Sequence, residues 1–165
     1  LTIPDSVTRI YNEAFAGCTS LMSVTIGAGV TDIYSDAFVN CSNLTGVYFQ
    51  GNAPSDRYYL FPGADQAVVY YRADTTGWGA TFGGTLAVLW DPWIETGDGY
   101  FGMQTNGFGF NVTESAGGLV VVEACHSLTN GVWEPLETNT MLGGSVYFLD
   151  PATHLKGRYY RLSMP

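Results

Sequence analysis

Three side chains that can take part in nucleophilic catalysis stand next to one another in this chain: Cys125, His126 and Ser127. A cysteine or serine nucleophile needs a base within hydrogen-bonding reach. The run 119–125 is rich in β-branched residues and predicts a strand, on which neighbouring side chains point to opposite faces. We therefore expect Cys125 to be a core residue and His126 a surface residue, and we predict no catalytic residues and no enzyme.

Candidate metal ligands and acid–base pairs are equally sparse. The other histidine, His154, has no second histidine at a ligand spacing. The acidic stretch that holds Glu95 and Asp98 offers oxygen ligands for calcium, but it lacks the regular Asp-x-Asp spacing and an acidic turn is favoured. No sequence feature places these two acids, or Glu134 and Glu137, across a cleft. We predict no metal site and no cofactor.

Charge and composition narrow the class of partner. The chain has 165 residues, a formal net charge of −9 and only six Lys and Arg, so nucleic acid would be repelled. Charged residues make up 13%, while Gly (21) and Tyr (11) are abundant, which favours a mainly β, secreted protein. No apolar segment is long enough to span a membrane, and no signal peptide is visible.

The strongest signal is an internal repeat of 23 residues. When the sequence is aligned with itself after a shift of 23 residues, identical residues coincide at many positions: Thr2/Thr25, Ile3/Ile26, Val7/Val30, Ile10/Ile33, Tyr11/Tyr34, Phe15/Phe38, Cys18/Cys41 and Leu21/Leu44. Within one unit, Val24 and Ile26 alternate with Thr25, the period of a strand with one buried face. The segment around Phe38 predicts a short helical or turn-like corner that fills the interior. Stacked coils bury apolar edges that one coil leaves exposed.

The pattern Ile-Pro-x-x-Val-Thr-x-Ile … Ala-Phe-x-x-Cys-x-x-Leu resembles the BspA-type leucine-rich repeat of bacterial surface proteins. The resemblance implies a solenoid over residues 1–90, with the parallel ladder of such repeats and a degenerate closing repeat at its end. It also implies a secreted or cell-surface protein used for adhesion or partner binding. Because Leu1 falls inside a repeat, we expect the chain to be a processed or trimmed piece, which is compatible with the loss of an export signal. We expect Pro165 to be the natural C-terminus.

The three cysteines give no disulfide framework, since their number is odd. Equivalent residues on adjacent coils lie about 4.8 Å apart, which does not forbid a bridge between Cys18 and Cys41. Their side chains would point the same way, however, so buried free thiols are favoured.

The amino-acid composition of the chain changes at Asp91. Residues 91–99 predict a linker, and 100–165 predict a small antiparallel β-sandwich-like domain of short strands at roughly ten-residue spacing. Asn106-Gly107 is the best hairpin signal in the chain. This half is similar to a C-terminal β-domain found on exported bacterial repeat proteins.

Two surfaces of the predicted solenoid are candidate sites. One is a column on the solvent side of the strands, a ladder of hydroxyls and flat rings suited to sugar or peptide: Thr2, Thr25, Tyr48 and Tyr70. Plain strand propensity also explains these residues. The other is the open edge of the first coil, prone to pair with another chain: Leu1, Ile3, Val7 and Ile10.

The preferred function is therefore an extracellular or cell-surface interaction protein that binds a protein or carbohydrate ligand, with loops around Tyr58, Tyr59 and Trp78 contributing. The alternative is a structural subunit that assembles head-to-tail into a fibre or surface layer through the open edge. A binder should be monomeric, whereas a subunit should associate with copies of itself.

Overall fold

The chain folds as two compact units, Leu1–Trp90 and Asp91–Pro165, in the computed structural model. The structure describes residues 1–56, 59–114, 116–129, 131–151 and 157–165. Every regular element in these residues is a β-strand. The prediction of a mainly β chain is confirmed.

The described strands of the first unit are short and follow one another through turns. They are β1 (Thr2–Ile3), β2 (Arg9–Ile10), β3 (Ser23–Ile26), β4 (Asp32–Ile33), β5 (Gly46–Phe49), β6 (Ser55–Asp56), β7 (Val68–Arg72), β8 (Thr81–Phe82) and β9 (Thr85–Trp90).

These strands stack into two parallel ladders, of which the repeat predicts the main one. The main ladder has the order β1-β3-β5-β7-β9, with β8 antiparallel at its end, and the second ladder has the order β2-β4-β6. Thr2 lies opposite Thr25 and Thr25 opposite Tyr48, which is the 23-residue period expressed as register. Inward residues of the main ladder such as Val24, Val47 and Val69 are fully buried in one core.

The corner of each coil repeats the same backbone shape. The left-handed φ values of Glu13 (57°), Asp36 (59°) and Tyr59 (53°) recur at the 23-residue period. A second left-handed position recurs in the same way at Gly17, Asn40 and Gly63. The corners are therefore tight turns rather than helices, and the third corner keeps this shape although its sequence has lost the repeat motif.

The phenylalanine of each corner stacks on that of the next coil. Ring centroids are 5.1 Å apart for Phe15 and Phe38 and 5.5 Å apart for Phe38 and Phe61, with nearly parallel planes. Phe38 is fully buried, as predicted from its place in the repeat. The stack forms the apolar filling of the corner side of the solenoid.

Turn amides also find their acceptors on the next coil. Phe38 N donates to Leu60 O (3.0 Å) and Asn40 N donates to Pro62 O (2.7 Å). The same bond joins Gly17 N to Val39 O (2.8 Å) one coil earlier. Because a buried turn must satisfy its backbone groups, each corner depends on its neighbour for hydrogen bonds that its own residues do not supply.

Aromatic residues fill the closing end of the solenoid. Trp78 stacks on Tyr71 at 5.1 Å and meets Phe49 edge-on at 4.9 Å. Its Nε1 donates to Thr75 Oγ1 at 2.9 Å, so the indole nitrogen is satisfied although the ring is half-buried. The degenerate last repeat thus ends the core with large rings where a regular coil would place aliphatic residues.

The second unit contains longer antiparallel strands. Its described strands are β10 (Trp93–Glu95), β11 (Gly102–Gln104), β12 (Gly107–Glu114), β13 (Gly118–Cys125), β14 (Glu134–Met141), β15 (Gly144–Asp150) and β16 (Tyr159–Ser163). One sheet pairs β12 with β10, β11 and β15, and the other has the order β14-β13-β16. The predicted hairpin is present, with Thr105-Asn106 as its two-residue connection.

The two sheets of this unit share an aromatic core. Tyr160 on β16 stacks on Phe108 (5.2 Å) and meets Phe110 edge-on (5.4 Å), and both phenylalanines lie on β12. The unit is therefore a small β-sandwich. The predicted linker 91–99 differs from the structure at one point, because Trp93–Glu95 pairs with β12 and belongs to the sheet.

Glycines let neighbouring coils approach closely. A Cβ on Gly29 would overlap the carbonyl oxygen of Asp5, and one on Gly51 would lie 2.8 Å from Ala28 Cα. Both obstacles are backbone of the preceding coil, which cannot move aside without displacing the ladder. These positions fix the spacing of the coils.

We expect Gly29→Ala to destabilise the first unit by about 1–3 kcal/mol, the usual cost of overpacking. The melting temperature followed by circular dichroism should fall by roughly 4–8 °C for each kcal/mol lost. Gly79→Ala is the matched control, since the nearest atom to its new Cβ is 3.6 Å away. Equal melting temperatures for the two variants would contradict close coil contact at Gly29.

Candidate binding surface

The predicted binding column on the main ladder is mostly buried. Thr25, Tyr48 and Tyr70 are 3%, 1% and 6% exposed, and only Thr2 is exposed. The prediction of a solvated face is therefore wrong for these three residues. A ligand cannot reach hydroxyls or ring faces that are already covered.

Two local contacts contribute to the burial of the tyrosines. The rings of Tyr48 and Tyr70 stack on each other with centroids 4.9 Å apart. A Cβ on Gly46 would lie 2.6 Å from the Tyr48 ring, so this ring bends back along its own strand over the glycine. Strand alternation correctly placed these side chains away from the solenoid core, but it carries no information about the direction in which a long side chain turns.

The predicted assembly edge coincides with an apolar groove on the first coil. The groove encloses about 360 Å³, and its lining includes Leu1, Ile3, Val7, Ile10 and Phe15. Ile3 and Ile10 are buried in the core, Val7 is partly exposed and Leu1 is exposed. The part of this edge available to another molecule is therefore Leu1 and Val7.

A different surface, at the second ladder, is open to solvent. Tyr11 and Tyr34 follow β2 and β4 and stack with ring centroids 5.3 Å apart, and Tyr11 is 60% exposed. Beside them Arg9 pairs with Asp32 across the two strands at 3.7 Å. The hydrogen bond to Tyr11 is the main reason that the pKa of Arg9 lies above its ordinary value. We call these four residues the tyrosine–arginine patch.

The sequence carried a signal for this patch that the choice of candidate residues missed. The same 23-residue period that aligns Thr2 with Thr25 also aligns Tyr11 with Tyr34. The longer main strands alternate more clearly, and this alternation favoured Tyr48 as a binding residue instead. The second ladder has only two-residue strands, which hydrophobic alternation does not reveal.

The cysteines are free, and two of the three are buried. Cys41 donates through Sγ to the carbonyl oxygen of Phe15 on the preceding coil (3.1 Å), and burial raises the pKa of its thiol. The prediction of a buried thiol is confirmed for Cys41 and Cys125 and is wrong for Cys18, which is exposed.

The residues considered for catalysis are not brought together. Cys125 is buried at the end of β13, whereas His126 lies just beyond that strand and is exposed, so the two side chains differ in burial as predicted. Glu134 and Glu137 are exposed on β14. His154 lies outside the described residues, as does Tyr58 of the predicted loop surface. No group of three or more metal-ligating side chains occurs among the residues that the structure describes.

The acidic stretch after β10 uses its carboxylates for hydrogen bonds within the protein. Glu95 Oε2 accepts from Trp93 Nε1 at 3.2 Å. Asp98 accepts from Tyr100 N (2.9 Å) and from Asn111 Nδ2 (2.6 Å), and these bonds hold the pKa of its carboxyl below the usual range. The arrangement is an acidic turn with its oxygens engaged by protein donors.

A tyrosine with a strongly raised pKa belongs to a buried cluster in the sandwich. Asp150 forms an ion pair with Arg158 and accepts a hydrogen bond from the Tyr160 hydroxyl (2.8 Å). Burial, followed by the bond to Asp150, raises the pKa of Tyr160 well above its ordinary value. Since the carboxylate is engaged by two donors and lies in the sandwich core, the cluster ties β15 to β16 rather than forming a reactive site.

Comparison with known proteins bears on the first unit alone. No curated protein and no solved structure matches the chain. The similarity of the second unit to a C-terminal domain of exported proteins stays a prediction. In the described part of the chain, no helix has the length and apolar content needed to cross a membrane. Residues 1–67 match the family described as the BspA type leucine rich repeat region (6 copies), and this part of the chain is a BspA-type leucine-rich repeat segment.

Proposed function

We propose that the chain is a non-catalytic interaction protein of the cell surface or extracellular space that binds a protein partner through the tyrosine–arginine patch. The observation that carries this proposal is the in-register pairing of Tyr11 with Tyr34 and of Arg9 with Asp32 on consecutive coils. The BspA-type repeat segment supports it, because leucine-rich repeats are modules of protein interaction.

The side-chain types of the patch suit a protein interface. Tyrosine and arginine are enriched among the residues that dominate binding energies. An exposed ion pair such as Arg9–Asp32 contributes little to folding stability, so its role in the fold does not account for the pair. The stacked rings are already held in place, which lowers the entropy cost of ordering them on binding.

The chain's charge limits the partner. With a net charge of −9, it attracts a neutral or basic surface more readily than an acidic one. The patch itself contributes one positive and one negative side chain. We therefore expect the partner to present an apolar or aromatic centre against the tyrosines, with a polar rim around it.

The test is binding of the purified chain to an array of extracellular proteins, with affinities then measured by surface plasmon resonance. Tyr11→Ala should weaken the strongest interaction about 10- to 30-fold, the usual effect of removing a dominant aromatic contact. Met22→Ala is the control, since Met22 is similarly exposed (68% against 60% for Tyr11) on the same unit but lies outside the patch. A folded chain that binds nothing on the array, or that loses affinity equally in both variants, would contradict the proposal.

The alternative function, assembly into a fibre or surface layer, is favoured by one observation, the apolar groove at the first coil. Its occupant would be a second copy of the chain. Leu1 and Val7 are the accessible parts of this edge, whereas a charge placed at Ile3 would also damage the core.

Sedimentation velocity over a concentration series separates the two functions. If the chain is a subunit, its mass should rise with concentration, Val7→Glu should return it to a monomer, and Met22→Glu should leave the association intact. A chain that remains monomeric at every concentration excludes assembly through this groove and leaves partner binding as the function.

A further inference from the structure

The outer face of the four-stranded sheet in the second unit carries exposed rings beside oxygen-rich side chains. In register across β10, β12 and β15 lie Glu95, Asn111 and Tyr147. The alternate positions Phe110 and Phe148 fill the sandwich core, so this row points away from it. We call the surface around this row the outer face.

Tyr147 lies flat on the sheet because a glycine makes room for it. A Cβ on Gly109 would overlap the Tyr147 hydroxyl and lie 2.7 Å from its Cζ. The ring therefore covers the Gly109 backbone with one side and turns the other toward solvent. It remains 43% exposed.

A second ring stands across the first. Tyr100 meets Tyr147 at a centroid distance of 5.9 Å and an interplanar angle of 65°, and it is more exposed than Tyr147. The two rings form a floor and a wall. Both rings are exposed on either side of the corner between them.

Polar groups beside this corner are fixed in advance. Asp98 accepts from Tyr100 N and from Asn111 Nδ2, which holds the carboxylate next to the wall. These bonds also keep the carboxyl ionised, as its lowered pKa indicates. Glu95 is held in turn by Trp93, an exposed ring at the far side of the same sheet.

No described cation of this unit is free to serve the outer face. Of the two arginines described here, Arg158 pairs with Asp150 and Arg161 pairs with Glu123. The carboxylates of Glu95 and Asp98 would repel an anionic ligand. A ligand that fits needs a flat apolar side for the rings and many hydroxyl donors for the carboxylates.

We propose that the outer face binds a neutral saccharide, whose C–H face packs on Tyr147 while its hydroxyls donate to Asp98 and its neighbours. This inference rests on the proposed role as an extracellular interaction protein and adds a second site with a different class of ligand. A basic peptide is also compatible with the carboxylates, but it gives no reason for a ring laid flat against Gly109.

The experiment is affinity electrophoresis of the full chain in gels that contain a soluble β-glucan, a xylan or a galactomannan, followed by a glycan array. Tyr147→Ala should weaken the strongest saccharide interaction about tenfold. Gly109→Ala should weaken it as well, because the new methyl lifts the ring while leaving its chemistry unchanged. Tyr159→Ala is the control, a tyrosine with 44% exposure on the other sheet of the sandwich.

Circular dichroism of each variant checks that a loss of binding is not a loss of folding. A folded chain that binds no neutral saccharide overturns the inference, as does binding to polylysine alone or an equal loss in Tyr147→Ala and Tyr159→Ala. Saccharide binding that falls in Tyr11→Ala but not in Tyr147→Ala overturns it too, because it would place the saccharide at the tyrosine–arginine patch. Failure of the protein array with success here would leave the saccharide site and remove the partner-binding role of the patch.

Discussion

The hydrogen bonds from the turns of one coil to the next are the interaction on which the first unit depends. The strand ladders contain only four to six residues of each of the first three coils, so most of the backbone of a coil lies in turns. Asn40 N reaches Pro62 O and Phe38 N reaches Leu60 O, and the stacked phenylalanines lie between these bonds. A coil is thus completed by its neighbour, as expected of repeat proteins whose stability resides in the interfaces between units.

This constraint explains features that no single coil explains. Glu13 and Tyr59 adopt left-handed φ values that non-glycine residues rarely accept, and the repeated turn imposes them. Gly29 lacks a side chain because the preceding coil occupies that space. Side chains that point away from the shared core are not constrained by the packing of one coil on the next. The tyrosine–arginine patch consists of such side chains. The regular spacing of the coils then sets Tyr11 and Tyr34 at stacking distance.

The sequence predicted the structural features that follow from its repeat and from the alternation of apolar residues. The 23-residue period gave the register of the ladders, the buried place of Phe38 and the parallel stack, and the hairpin signal at Asn106-Gly107 marked a turn within one residue. The direction in which a long side chain turns could not be predicted from the sequence. Tyr48 turns back over Gly46, and Tyr147 lies on Gly109, through contacts that depend on which glycine happens to sit beside each ring. Trp93–Glu95 also escaped prediction, because three residues between Gly- and Pro-rich turns are too few to show a period.

Amide hydrogen exchange in the turns tests the dependence of each coil on the next most directly. If neighbouring coils satisfy the turns, Phe38 N and Asn40 N should exchange about a thousandfold or more slowly than the same amides in an unstructured peptide, close to the strand amides of Val24 and Val47. Exchange of these turn amides within about tenfold of the unstructured rate, with the strands still protected, would contradict the account, because the ladders would then stand without the bonds between corners.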